Sequence, residues 1–341
     1  MGEAEFPGVR FKVGRRRIGD GVRIGAGCDL RWARLTLAAD ARVGESTRVL
    51  AADRFVLGRA SVLDGGSEVT CRSMTVGDST YLGHRLRVGL GARMEARSTL
   101  TVGSCCQIAP DVWVNPTEPV TIGDDVGISA RVALWTHGHH SGHAAADGFA
   151  GIFAGITIGG GVWLAYDVGV LPGVTVGAHT QVAARALVNR SLPARVLAAG
   201  IPAVVKRQLQ PRPLNGPALA EAVQALTGAW LDRLAHKGLA VEPTGEGQWW
   251  VADPETEEAW NVVRQPAGDS AGTLRLAVIR PGAEAEPTLF CFDRVSISGE
   301  PDRLGHDLRD FCRRQSWLFP HYQNSTALVP ARFAQLLNAA P

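Results

Sequence analysis

Four of the chain's nine histidines fall within seven residues, in the run Trp135-Thr136-His137-Gly138-His139-His140-Ser141-Gly142-His143. Imidazole is the side chain whose resting pKa best suits proton removal near neutral pH, so general-base chemistry on a hydroxyl or an amine is the first reading. Clustered histidines also make zinc ligands, and His84 could join them in a three-ligand site. A Ser-His nucleophile through Ser141 is a third reading, although neither a nucleophile elbow nor a third member accompanies it.

The scaffold around this cluster has a period of six. Ile122-Gly123, Ile128-Ser129 and Leu134 precede the cluster. After it come Ile158-Gly159, Leu164-Ala165, Val170-Leu171, Val176-Gly177, Val182-Ala183 and Val188-Asn189. Earlier segments keep the beat with slips, as in Ile18-Gly19, Ile24-Gly25, Val43-Gly44, Val76-Gly77, Leu82-Gly83, Val88-Gly89, Val102-Gly103 and Ile108-Ala109. Six is neither a helical period nor simple strand alternation. It fits a short strand and a turn, with the aliphatic residue inward and glycine allowing the tight corner.

Four positions after each aliphatic residue comes a second small inward residue: Val22, Cys28, Cys106, Val126, Val132, Val162, Val168 or Val174. Packing therefore explains Cys28 and Cys106 better than reactivity does. Three hexads make one triangular coil, and residues 13–205 give roughly nine coils stacked at the ~4.8 Å strand spacing. The stretch from Ala51 to Ser73 breaks the beat and reads as an irregular coil. Residues 135–155 form a long insertion in an otherwise regular solenoid, the kind of place where function sits. His84 and His137 are about three coils apart by an ~18-residue count, which argues against a shared zinc. Read without the cluster, the repeat predicts only a non-catalytic scaffold.

The 341 residues include 40 glycines, about 12% against a usual ~7%, as many regularly spaced turns require. A formal net charge of +2 gives no argument for nucleic acid or an acidic membrane surface. The first seventeen residues lack a signal-peptide apolar run, and Phe6 stands where myristoylation needs Ser or Thr. No stretch approaches the ~18 apolar residues of a membrane span. Six cysteines without CxxC spacing suggest a cytoplasmic protein with reduced thiols.

The stretches TIGDDVGISARVALWTHGHH, ITIGGGVWLAYDVGVLPGVTVG and VLAAGIPAVVKR resemble the bacterial hexapeptide-repeat O- and N-acetyltransferases. Among these they are most similar to the sugar and capsular-polysaccharide enzymes, including those of colanic acid type. The resemblance is specific over residues 102–207, concerns the repeat alone over 13–101, and does not extend to 208–341. It implies a left-handed parallel β-helix, assembled as a homotrimer with active sites between subunits. Handedness comes from the resemblance alone, since parallel crossovers are ordinarily right-handed.

The resemblance further implies acetyl-CoA as co-substrate, no metal, and a small-molecule or saccharide acceptor. One loop histidine acts as general base on the acceptor in a ternary complex. The Trp135-Thr136 frame places that base at His139, with His137 as the alternative two residues earlier. Oxyanion donors would come from backbone N–H groups of the next coil. Tyr166 would lie along the pantetheine and Ala184 would line the channel one coil on. Asn189 and Arg190 stand where the family has a Thr-Lys pair. Lys206 and Arg207, after Gly200-Ile201-Pro202-Ala203, would meet the coenzyme's phosphates. Two positions depart from the pattern, with Val204 in place of a basic residue and bulky Tyr166 in place of a small one. Trp163 reads as a packing residue that shapes the cleft.

The expected organisation is an N-terminal segment 1–12, a β-helix domain 13–207, a linker 208–216 and an α+β domain 217–341. In the last, Leu219, Val223, Leu226, Trp230 and Leu234 have helical spacing. Strands are expected at Trp249–Ala252, Leu274–Ile279 and Leu289–Ile297, and a second helix at Leu304–Arg314. Trp249, Trp250 and Trp317 read as core.

Overall fold

The six-residue beat becomes strands of two to four residues that pair in parallel from coil to coil, forming three faces. The computed structural model describes residues 6–89, 95–138, 148, 151–210, 216–265, 275–282, 286–293, 295–299, 301–315, 317 and 319. The first face includes Thr99–Val102, Val120–Ile122, Ile156–Ile158 and Thr175–Val176. The second includes Tyr81–Leu82, Gln107–Ile108, Gly127–Ile128, Trp163–Leu164, Gln181–Val182 and Val196–Ala199. The third includes Arg87–Val88, Trp113–Asn115, Ala133–Trp135, Gly169–Val170 and Leu187–Val188. The result is a parallel β-solenoid of about nine turns.

Register puts like residues in stacks. Ile108, Ile128, Leu164 and Val182 are consecutive partners on the second face, all at most 1% exposed. Cys28, Cys106, Val132 and Val162 are completely buried, as expected of the second inward position. Each such aliphatic side chain contributes about 1.5–3 kcal/mol by leaving water, and the stack repeats this contribution in every coil.

The glycine after the aliphatic residue has a different cause from the one expected. Gly44 and Gly177 do not have positive φ; the left-handed position comes two residues later, at Ser46 (φ 53°) and His179 (φ 58°). Glycine is needed because the next coil passes so close. A Cβ on Gly44 would lie 2.2 Å from the Gly65 nitrogen, and one on Gly177 would lie 2.3 Å from that of Ala194.

The segment from Ala51 to Ser73 is irregular only at a register shift between Ala51 and Arg54. It lies within two long strands, Arg48–Leu57 and Glu68–Val76, and the short strand Val62–Leu63 between them. Here, as in Arg10–Ile18 and Asp29–Leu37, one strand covers the third face and bends onto the first. The bend is absorbed by a register shift between Ala51 and Arg54, so no turn residue marks it.

Two coils are longer than the rest. Register partners are 26 residues apart from Val88 to Val114 and 36 apart from Leu134 to Val170, against 18 from Val170 to Val188. Both additions, at 89–98 and 136–155, fall in sequence between a third-face strand and the next first-face strand. The first was not anticipated.

The chain divides into units 1–210 and 211–341. In the second, six antiparallel strands run in sequence order from Ala240–Gly245 to Ser296–Ser298, with helices Gly216–His236 and Arg303–Arg314. Leu219, Val223, Leu226, Trp230 and Leu234 are buried as their spacing requires. Trp249 and Trp317 pack partly buried against that core. Trp230 donates its indole N–H to Asp307 at 2.9 Å, and Lys237 pairs with the same carboxylate. Leu289–Ile297 is two strands, Thr288–Cys291 and Ser296–Ser298. Ala240–Gly245 and Glu258–Gln265 were not foreseen.

Candidate active site

The loop 136–155 is anchored where it begins, onto the corner of the coil before it. The buried Thr136 hydroxyl donates to the Asn115 carbonyl at 2.7 Å and accepts the Glu118 N–H at 3.0 Å. Asn115 Oδ1 accepts the Thr117 hydroxyl at 2.8 Å and the Thr117 N–H at 3.2 Å. The loop returns through Ala154 N–H to Thr136 O and Ile156 N–H to Pro119 O. Between these ties His137–Gly138 pairs antiparallel with Ile152–Phe153. The result is a short ribbon projecting from the corner.

His137 stands at the foot of that ribbon. Its ring stacks on Phe153 at 5.9 Å and 12° and meets Trp135 edge-on at 6.2 Å. Its Nδ1 is 3.5 Å from Thr117 Oγ1. Because the Thr117 hydrogen is given to Asn115, the oxygen faces His137 as an acceptor. In the tautomer with the proton on Nδ1, that contact is a hydrogen bond to Thr117 and Nε2 is the acceptor nitrogen. Trp113, 41% exposed, lies 6.2 Å from Trp135 and extends the aromatic surface onto the third face.

Asn115 is a site residue that sequence reasoning missed. It is 2% exposed, and its Nδ2 has no hydrogen-bond partner among the described residues. A buried amide donor without a partner costs about 1–3 kcal/mol, and the same side chain is linked to His137 through Thr117. The only signal in the sequence is a polar residue directly after the inward Val114, and its partners come from other positions in the corner and from the next coil.

The remaining expected residues occupy three places. His139, together with His140, Ser141 and His143, lies outside the described residues. Tyr166 is 39% exposed at the corner between the second and third faces, with the Arg131 guanidinium 5.6 Å from its ring centre. Its carbonyl accepts the Arg185 N–H at 2.8 Å, and Ala184 is exposed beside it one coil on. Asn189 and Arg190 are exposed at the third-to-first corner, on the edge that carries His137 but further along. Lys206 and Arg207 are exposed on Val204–Gln208, which pairs antiparallel with Val196–Ala199 of the second face. The third face thus separates His137 from Tyr166 and Ala184 within one chain.

His84 sits at the second-to-third corner, away from His137. Among the described residues no three His, Cys, Asp or Glu side chains converge as metal ligands. Burial pushes the thiols of Cys71 and Cys106 up to about 12, which makes them poor nucleophiles. Trp163 is not a packed residue. It is 49% exposed and donates to Ser129 Oγ at 3.1 Å above a groove of about 390 Å³ on the second face, lined also by Tyr81, Gln107 and Pro110. No helix among the described residues is long and apolar enough to cross a membrane.

No family model matches the chain. It is 42% identical over 111 residues to the acetyltransferase WcaF of Escherichia coli strain K12, named for colanic acid biosynthesis, across 32% of this chain and 58% of that protein. It is 30% identical over 138 residues to the O-acetyl transferase WbbJ of the same strain, named for lipopolysaccharide biosynthesis, across 37% of this chain and 70% of that protein. Among solved structures, galactoside acetyltransferase in complex with coenzyme A aligns over 40% of this chain and 64% of that one, at 26% identity and a TM-score of 0.32. The chain belongs to the hexapeptide-repeat acetyltransferase family. It spans 58% of the length of WcaF.

Proposed function

We propose that the protein transfers an acetyl group from acetyl-CoA to a hydroxyl or amine of a saccharide-like acceptor, with a loop histidine as general base. The observation that carries this reading is the corner formed by Asn115, Thr117 and His137, where Thr117 links the imidazole to an amide whose Nδ2 has no partner among the described residues. Family membership supports acetyl-CoA as the donor, and the relatives' names support a saccharide acceptor.

The base, His139 or His137, takes the acceptor's proton as that oxygen or nitrogen attacks the thioester carbonyl. A tetrahedral oxyanion forms, and backbone N–H groups of the next coil are proposed to donate to it, with Asn115 Nδ2 as a further donor once its buried position opens to the acceptor. Collapse of the intermediate breaks the C–S bond, and the imidazolium returns the proton to the departing thiolate. Tyr166, Ala184, Asn189, Arg190, Lys206 and Arg207 are proposed to hold the coenzyme. Because His137 and Tyr166 lie on different corners, a neighbouring subunit would bring a coenzyme-holding corner to this histidine. A homotrimer in the cytoplasm accommodates that.

The test is mass spectrometry of products after incubation with acetyl-CoA and a panel of saccharide, nucleotide-sugar and amine acceptors. Acetylated product with release of CoA is expected. A protein that releases no CoA with any acceptor is a scaffold, and stoichiometric zinc in the purified protein would replace the base mechanism with a metal one.

A further inference from the structure

The edge that carries His137 continues down the solenoid, and its charge pattern differs from that of the neighbouring third-face row and of the second-to-third corner. In the early coils the first residue past the third-to-first corner is Arg15, then Arg34, then Arg54, as direct register partners. The row continues through Ser73 and Thr99 to the level of Pro119, at the base of the loop. Leu35 and Phe55, the next residues along, are buried, so strand alternation turns the arginines outward. All three arginines are exposed. Arg72, in the corner itself, adds a fourth guanidinium.

One carboxylate stands among them. Arg34 pairs with Asp53, and Arg34, Arg72 and Arg54 together hold its carboxyl below the usual range. Over the four early coils, about 14 Å in three steps of ~4.8 Å, four guanidinium groups therefore face one carboxylate among the described residues; nearer the loop Arg97 pairs with Glu118, and Glu95 adds a further carboxylate. Solenoid stability alone would favour a different pattern, because like charges directly opposite one another repel. The neighbouring row on the third face follows the stable pattern, alternating as Arg10, Asp29, Arg48, Glu68 and Arg87. The second-to-third corner alternates too, with Arg85 paired to Asp111 and Arg131 to Asp167. Only the histidine-bearing edge, among these three, keeps uncompensated arginines in a line.

We propose that this edge binds an acidic polysaccharide, a chain carrying carboxylate groups, and leads it toward the His137 corner as the acceptor. Guanidinium groups pair with carboxylates in bidentate fashion, and evenly spaced cations favour a polymer over a single sugar. The inference rests on the acetyl-transfer reading above for the polymer's role as acceptor, and its binding test does not depend on catalysis.

The test uses the full chain without acetyl-CoA and compares hyaluronan oligosaccharides with neutral dextran oligosaccharides of equal length by calorimetry. Single-stranded DNA serves as a general polyanion. Hyaluronan is expected to bind about tenfold or more tightly than dextran, with affinity falling as salt rises. Arg15→Glu/Arg54→Glu should weaken it about tenfold, and Arg15→Gln/Arg54→Gln by less. Arg23→Glu/Arg42→Glu, the same charge change on the second face, should leave it within about twofold. Equal binding of the two glycans, equal loss in both charge-reversed pairs, or DNA bound as tightly as hyaluronan would overturn the proposal. Binding as expected without CoA release from acetyl-CoA would leave the edge standing and remove the acetyl-transfer reading.

Discussion

The Thr136 hydroxyl reaches back to the Asn115 carbonyl at 2.7 Å, a bond that joins the start of the loop to the previous coil's corner. Through it the loop takes its position from the solenoid. Asn115 then holds Thr117 by two hydrogen bonds, and Thr117 faces the imidazole. The rigid part of the molecule sets the geometry of His137, the alternative base, and of the first residues of the loop, so changes one coil below should register in catalysis.

Asn115→Ala tests that relation. It removes both the Nδ2 donor, which has no partner among the described residues, and the acceptor that orients Thr117. The turnover number is expected to fall by about 10²–10³, the range for loss of one oxyanion donor. Thr117→Val should lower it about tenfold, while leaving the Asn115 donor in place. Steady-state kinetics of CoA release on both variants reads the difference.

Glycine substitutions should separate close coil contact from chain flexibility. Gly177→Ala places a Cβ 2.3 Å from the Ala194 nitrogen, and about 3 kcal/mol or more of stability should be lost. Gly228→Ala is the opposite case, since nothing lies within 4 Å of the added carbon on the exposed side of helix Gly216–His236. It should stabilise by up to about 1 kcal/mol. Denaturant melts of the two variants provide the comparison.

Thiol reactivity should follow burial. Cys28, Cys71, Cys106 and Cys312 are buried with raised thiol pKa values, whereas Cys105 and Cys291 are partly exposed. Iodoacetamide at pH 8 should label Cys105 and Cys291 in the native protein and all six cysteines in urea. Peptide mapping reads the sites, and native labelling of Cys71 would contradict the packing described for the early coils.

Asp125 gives a pH dependence with a definite sign. Although Asp125 is exposed, desolvation by the surrounding corner and the neighbouring Asp124 raise its carboxyl above the usual range, against a smaller lowering by His179. A carboxyl raised in the folded state costs stability above its folded pKa, and the cost disappears below its unfolded pKa near ~3.9. Asp125→Asn should therefore raise the melting temperature at pH 7, with the gain shrinking as pH falls toward 4. Asn also tolerates the φ of 58° at this corner. Calorimetric scans at both pH values check it.

The solenoid was legible in the sequence because each coil repeats the same two demands, an inward aliphatic residue and a neighbour small enough for the next coil to pass. Both leave marks in residue type, as Ile128 and Gly177 do. The bend between Ala51 and Arg54 left none, since a strand that curves through a bulge needs no turn residue. The addition at 89–98 was hidden because one long interval looks like a slipped beat. Asn115 was illegible for a different reason, since its meaning depends on Thr117 and, through its backbone carbonyl, on Thr136 twenty-one residues later. The separation of His137 from Tyr166 needed the corners to be assigned, which the period alone does not do.

The central claim is that a histidine at the third-to-first corner takes the acceptor's proton, and the most direct measurement is the rate of acetyl-CoA-dependent CoA release in His139→Ala, His137→Ala and the double variant. Loss of the base should cost about 10²–10⁴ in turnover, with the full loss in His139→Ala and a smaller one in His137→Ala. A double variant that turns over at the wild-type rate would contradict the account.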